Sequence, residues 1–136
     1  MIYNTIQFQA SPFDYKLYFT SRITLVRGDS ATGKTYLYQI LEDVKQLEQY
    51  RHIKLFNYKS DDFHSTLHAC RGKFVVIDNG DTILEEEDRQ FINFEKSNQY
   101  LLFLRNCDGL NVDRESFTVL HEKGCHISLQ KELVKA

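Results

Sequence analysis

The chain has 136 residues, 42% of them hydrophobic and 26% charged, with a formal net charge of −2. That length fits one domain, residues 1–136, able to bury roughly two thirds of its unfolded surface around one core. The near-neutral charge removes any global electrostatic case for nucleic-acid binding and leaves only local patches to consider.

In chain order, residues 2–8 alternate polar and apolar. Residues 15–20 form a second β-rich run after Ser11-Pro12 and Asp14, so two strands joined by a turn are predicted. Residues 23–26 are a short apolar run that reads as a buried strand. From residue 34 to 50 the apolar positions Leu37, Ile40, Leu41, Val44 and Leu47 recur every three or four residues, which predicts an amphipathic helix. Residues 52–58 read as a strand. Asp61-Asp62 is a candidate cap for a short helix through Cys70, closed by Gly72. Residues 74–77 are apolar and β-branched and end on Asp78. Residues 84–96 read as a helix with Glu85, Glu86 and Glu87 in its favourable first turn. Residues 100–104 are wholly apolar and end on Arg105-Asn106, and residues 117–130 read as two strands around Glu122-Lys123-Gly124.

The stretch ITLVRGDSATGKTYLYQIL carries the chemistry. Residues 28–35, GDSATGKT, match G-x-x-x-x-G-K-[ST] without a gap, between a strand-like run and a helix-like one. Glycines let several backbone N–H groups point into one concavity, and the following helix adds the positive end of its dipole. In such a loop Lys34 reaches the β- and γ-phosphates and the Thr35 hydroxyl holds Mg²⁺. The candidate nucleotide-binding residues are therefore Gly28, Asp29, Ser30, Ala31, Thr32, Gly33, Lys34, Thr35 and Tyr36.

With this motif the chain resembles the P-loop NTPases, and FVVID at residues 74–78 resembles their Walker B strand. The intervening strand 52–58 brings it nearest to small AAA-type and RecA-like ATPase domains. The resemblance implies a three-layer α/β/α fold with a mostly parallel sheet, to which N-terminal and C-terminal β-hairpins are added here. It implies ATP and Mg²⁺ as ligands, with Thr35 and Asp78 on the metal. It also implies a sensor at the end of strand 100–104, which Asn106 or Arg105 would supply.

One departure bears on catalysis. That branch commonly places a glutamate after the Walker B aspartate to polarise the attacking water. Here the residue is Asn79, which can orient water but cannot take its proton. Asp81 is the nearest substitute acid, ahead of the glutamates at 85–87, so the candidate catalytic set is Lys34, Asp81, Asn79 and Asn106. Arg71, Arg89 and Arg114 are candidates for an arginine acting across subunits, and Tyr3, Phe8 or Tyr15 for stacking on the base.

The GTPase base-recognition motif and the ABC signature are absent from the sequence. The resulting expectation is a Mg-ATP-binding protein that hydrolyses slowly or with a partner. The alternatives are a nucleotide-gated interaction module without hydrolysis and a small-molecule kinase. A protein partner or homo-oligomer is expected to complete the site, and nucleic acid enters by family analogy alone. Cys70, Cys107 and Cys125 form no CxxC pair, which argues against a disulfide framework or a cysteine zinc site. With no signal-peptide pattern in MIYNTIQFQASPFD and no run near the ~18 apolar residues of a membrane span, a cytoplasmic location is expected.

Overall fold

The apolar run after Arg22 forms a strand that sits inside a single eight-stranded sheet, rather than at its edge. The computed structural model describes residues 1–27 and 34–132, without the side chains of Lys34 and Thr35. Its strands are β1 (Thr5–Ala10), β2 (Phe13–Tyr18), β3 (Ile23–Arg27), β4 (Ile53–Phe56), β5 (Phe74–Ile77), β6 (Gln99–Phe103), β7 (Phe117–Lys123) and β8 (His126–Lys131). The helices are α1 (Lys34–Val44), α2 (Phe63–His68), α3 (Gly80–Ile83) and α4 (Glu86–Phe94).

The sheet order is β1-β2-β8-β7-β3-β6-β5-β4. From β7 through β3, β6 and β5 to β4 every pairing is parallel. The other half joins β7 to β8 and β1 to β2 antiparallel, with β2 and β8 parallel to each other.

The expected mostly parallel, three-layer α/β/α fold is overturned. The described residues form a curled, mixed eight-stranded half-barrel with four short helices. The physical reason lies in the two terminal hairpins. Their strands do not sit as appendages; β2 and β8 pair with each other and extend the sheet with reversed strands. Helices of 11, 6, 4 and 9 residues are too short and too few to lay continuous layers over such a sheet.

Alternation along the strands divides the core in two. Val26, Val76, Leu101 and Phe103 face α1 and pack with its buried Leu37, Leu41 and Val44. Ile6, Tyr15 and Leu17 from the N-terminal hairpin belong to this same cluster, so the curled sheet wraps the α1 side. Leu25, Val75, Ile77 and Leu102 face the other way and pack with Phe63 and Leu67 of α2 and Ile92 of α4. Each of the fully buried leucines contributes about 1.5–3 kcal/mol through burial.

Two helices differ in extent from the sequence pattern. The helix predicted to reach residue 50 ends at Val44, and Glu48–Tyr50 is a separate 3-10 turn. Leu47 is half exposed and leaves the apolar stripe. Tyr50 turns inward, its hydroxyl accepting from the Gln7 amide (2.9 Å) and donating to the Gln7 carbonyl (3.1 Å) on edge strand β1. The helix predicted over residues 84–96 is the shorter α4, and the separate turn α3 at Gly80–Ile83 precedes it. Glu85 is extended between them (φ −89°, ψ 169°), and its amide donates to the Asp88 carboxylate at 2.9 Å. Asp62 precedes α2 in a left-handed conformation (φ 49°) and makes no side-chain cap.

Candidate functional site

Parallel strands deliver the residues that follow them to one end of the sheet. Arg27 closes β3 there, so residues 28–33, which include Gly28, Asp29, Ser30, Ala31, Thr32 and Gly33, join this end to α1; these six lie outside the described residues. Lys34 and Thr35 open α1, which packs on the face formed by Val26, Val76 and Phe103.

Asp78 follows β5 at the same end. The registers Val26↔Phe103 and Leu102↔Ile77 set Val26, Phe103 and Asp78 in one row across three strands. The backbone holds that position, because the Asp78 amide donates to the Phe56 carbonyl at 2.9 Å. Alternation after Val76 and Ile77 turns the half-buried Asp78 toward the α1 side. Tyr38, buried on α1 one turn beyond Thr35, reports this proximity. Its phenol pKa is pushed well up, first by burial and then by the negative charges of Glu42 and Asp78. A carboxylate at this position is the kind of hard oxygen ligand that suits Mg²⁺.

The residues after Asp78 are engaged structurally. Asn79 is exposed and left-handed (φ 56°), and its Oδ1 accepts from the Thr82 hydroxyl at 3.1 Å. Asp81 accepts the Arg105 amide on Oδ2 (2.9 Å) and the Asn106 amide on Oδ1 (2.8 Å). It thereby ties α3 to the segment leaving β6. The Asn106 side chain folds back to accept from the Asp108 amide at 2.9 Å, and its carbonyl accepts from Arg89 at 2.6 Å. Arg89 also donates to the Asp108 carbonyl at 2.9 Å and is 9% exposed. Arg71 pairs with Glu95 at 3.0 Å and lies over Phe91. Arg114 is exposed on a 3-10 turn. Of the three arginines considered for a role across subunits, Arg89 and Arg71 thus make contacts within their own chain.

Beside the first turn of α1 lies a cavity of about 180 Å³ lined by Phe13, Tyr15, Tyr36, Leu120, His121, Glu122 and Ile127. β2 and β8 run opposite to β3, so their first residues reach the end of the sheet where β3 finishes. Tyr15 is one of the three aromatics singled out for base stacking. Phe8 instead backs it, with ring centroids 4.8 Å apart and planes 9° from parallel. Tyr3 lies at the opposite end, packed on Tyr50 and Phe74, with its hydroxyl accepting from the His52 amide at 3.3 Å. Sequence reasoning missed Phe13, Leu120 and Ile127. The available signal was the Phe13-x-Tyr15-x-Leu17 alternation; Leu120 and Ile127 join it only through the pairing of β2 with β8 and of β8 with β7.

Arg27 was missed as well. It pairs with Glu132 at 3.3 Å and lies over Phe117, which anchors the last described residue before the loop.

Comparison with protein-family models, curated proteins and solved structures finds no match to this chain. Among the described residues no helix is long and apolar enough to cross a membrane.

Proposed function

We propose that the chain binds Mg-ATP through residues 28–35 and Asp78, and hydrolyses it slowly or only with a partner. One observation carries the reading: the GDSATGKT motif joins β3 to α1, and Asp78 lies in the same row of the sheet and faces the side that α1 covers. Lys34 and Thr35 then serve the phosphates and the metal, with Asp78 completing the Mg²⁺ environment. The aromatic cavity beside Tyr36 supports a planar base as the nucleotide's other end.

A second reading, a nucleotide-gated interaction module without hydrolysis, is favoured by the contacts of Asp81. Both of its oxygens already accept backbone amides, so it has little freedom to act as a base. With Asn79 unable to take a proton, the chain itself supplies a poor water activator. A protein partner or second copy would then be what the nucleotide-bound state recruits.

Turnover separates the two readings. Slow phosphate release by wild type, accelerated in Asn79→Glu, is the expected result for a weak ATPase. ATP binding without phosphate release in either protein, even with candidate partners present, would leave the interaction module standing and remove the ATPase.

A further inference from the structure

Away from the phosphate loop, α2 and α4 meet through an arrangement of imidazoles and carboxylates. Asp88 is buried on α4, with a side chain 2% exposed, and three donors converge on it. His64 Nδ1 lies 2.6 Å from its Oδ2, His68 Nε2 lies 2.9 Å from its Oδ1, and the Glu85 amide donates to Oδ2 at 2.9 Å. An ionised carboxylate accepts only, so each imidazole donates the proton it carries on that side. His68 is further held by stacking on Phe91, with centroids 4.6 Å apart.

On the far side of the His64 ring Nε2 faces Glu85 Oε1 at 3.6 Å. A dication seated between them would take the place of a proton shared by the pair. Metal bonds of about 2.0–2.2 Å from imidazole nitrogen and carboxylate oxygen set a tetrahedral ligand edge near 3.4 Å, close to the separation already present. A ligating imidazole whose other nitrogen donates to a carboxylate is the usual way a metal-bound histidine is oriented. The site is reachable from solvent, since the side chains of His64 and Glu85 are 50% and 72% exposed.

We propose that His64 Nε2 and Glu85 bind a borderline transition-metal dication of the zinc class, with Asp88 behind the imidazole and His68 as positioning residues. Nitrogen and carboxylate donors together select such an ion over Mg²⁺. His64, Glu85 and Asp88 each offer a ligand atom within 4.8 Å of the others, and with the ion on Nε2 the Asp88 carboxylate holds the ring from the Nδ1 side. The cysteines take no part, and the site is independent of the nucleotide reading.

The test is a calorimetric titration of untagged, chelator-treated full chain with zinc chloride. It is run in a Cys125→Ser background, which removes the thiol of the separate Asp14, Cys125 and His126 grouping. The account expects saturable binding at one equivalent, weakened at least tenfold in His64→Ala and in Glu85→Gln. It expects binding unchanged in His126→Ala and in Lys34→Ala. His68→Ala weakens binding by about tenfold through the loosened Asp88 while circular dichroism stays native. No saturable binding by the Cys125→Ser protein, or binding unaltered by His64→Ala, overturns the proposal.

Discussion

Asp78 and Asp81 lie three positions apart and have different environments. Asp78 is half-buried on the α1 side, within electrostatic reach of Tyr38, whereas Asp81 has both oxygens on backbone amides. Replacing Asp81 by alanine should cost about 1 kcal/mol in urea unfolding, the low end for a lost hydrogen-bond acceptor, because the exposed amides of Arg105 and Asn106 regain water. Any fall in ATP turnover in that variant would then follow from loosening of the segment after β6. Asn79→Glu tests chemistry instead. A positioned general base is worth about 10²–10⁴ in rate, so even a poorly aligned glutamate should raise phosphate release about tenfold over wild type. An unchanged rate would place the limitation elsewhere.

Tyr38 supplies a pH prediction at the same scale. Its folded pKa is raised, so the fold favours the neutral phenol over the phenolate. That contribution is fully present below the ordinary tyrosine pKa of about 10 and is lost as pH rises beyond it toward the folded value. Urea unfolding of wild type should therefore show stability falling above about pH 10, and Tyr38→Phe should fall less steeply. Equal slopes would contradict the placement of Tyr38 among burial, Glu42 and Asp78.

At the level of elements, β3, β5 and β6 were legible because each is a contiguous apolar run, and each is fully or nearly fully buried. The α1 pattern was legible for the same reason up to Val44. Beyond it, Leu47 kept the spacing but not the burial, since helical periodicity cannot tell a stripe that continues from one that has reached the edge of its partner surface. Leu41→Ala should cost about 2–5 kcal/mol through the cavity it leaves, while Leu47→Ala should stay within about 0.5 kcal/mol. Similar losses at both positions would mean that the helix continues. The break between α3 and α4 depends on Asp88 accepting the Glu85 amide while also meeting His64 and His68. A run of acids in the sequence does not reveal which one turns inward.

At the scale of the molecule, the middle of the chain read correctly as alternating strands and helices, but the architecture built from it did not. Local pattern identifies a hairpin; it does not say whether the hairpin stands apart or joins an existing sheet. The pairing of Asp14, Tyr15 and Lys16 with His126, Ile127 and Ser128 links residues more than a hundred positions apart, and it bends the assembly into a half-barrel. The candidate site divides along the same line. The phosphate motif and Asp78 were visible because each is short and contiguous, whereas the aromatic cavity is assembled from β2, α1, β7 and β8. Hydrogen exchange should follow this arrangement, with the strongest protection in β3, β6 and β5 and weaker protection in the edge strands β1 and β4.

The central claim is that residues 28–35 hold Mg-ATP, and a titration of labelled ATP with and without Mg²⁺ tests it most directly. Saturable, Mg²⁺-enhanced binding by wild type, lost in Lys34→Ala and weakened in Asp78→Asn, is the predicted result. No binding by wild type, or undiminished binding by Lys34→Ala, would contradict it.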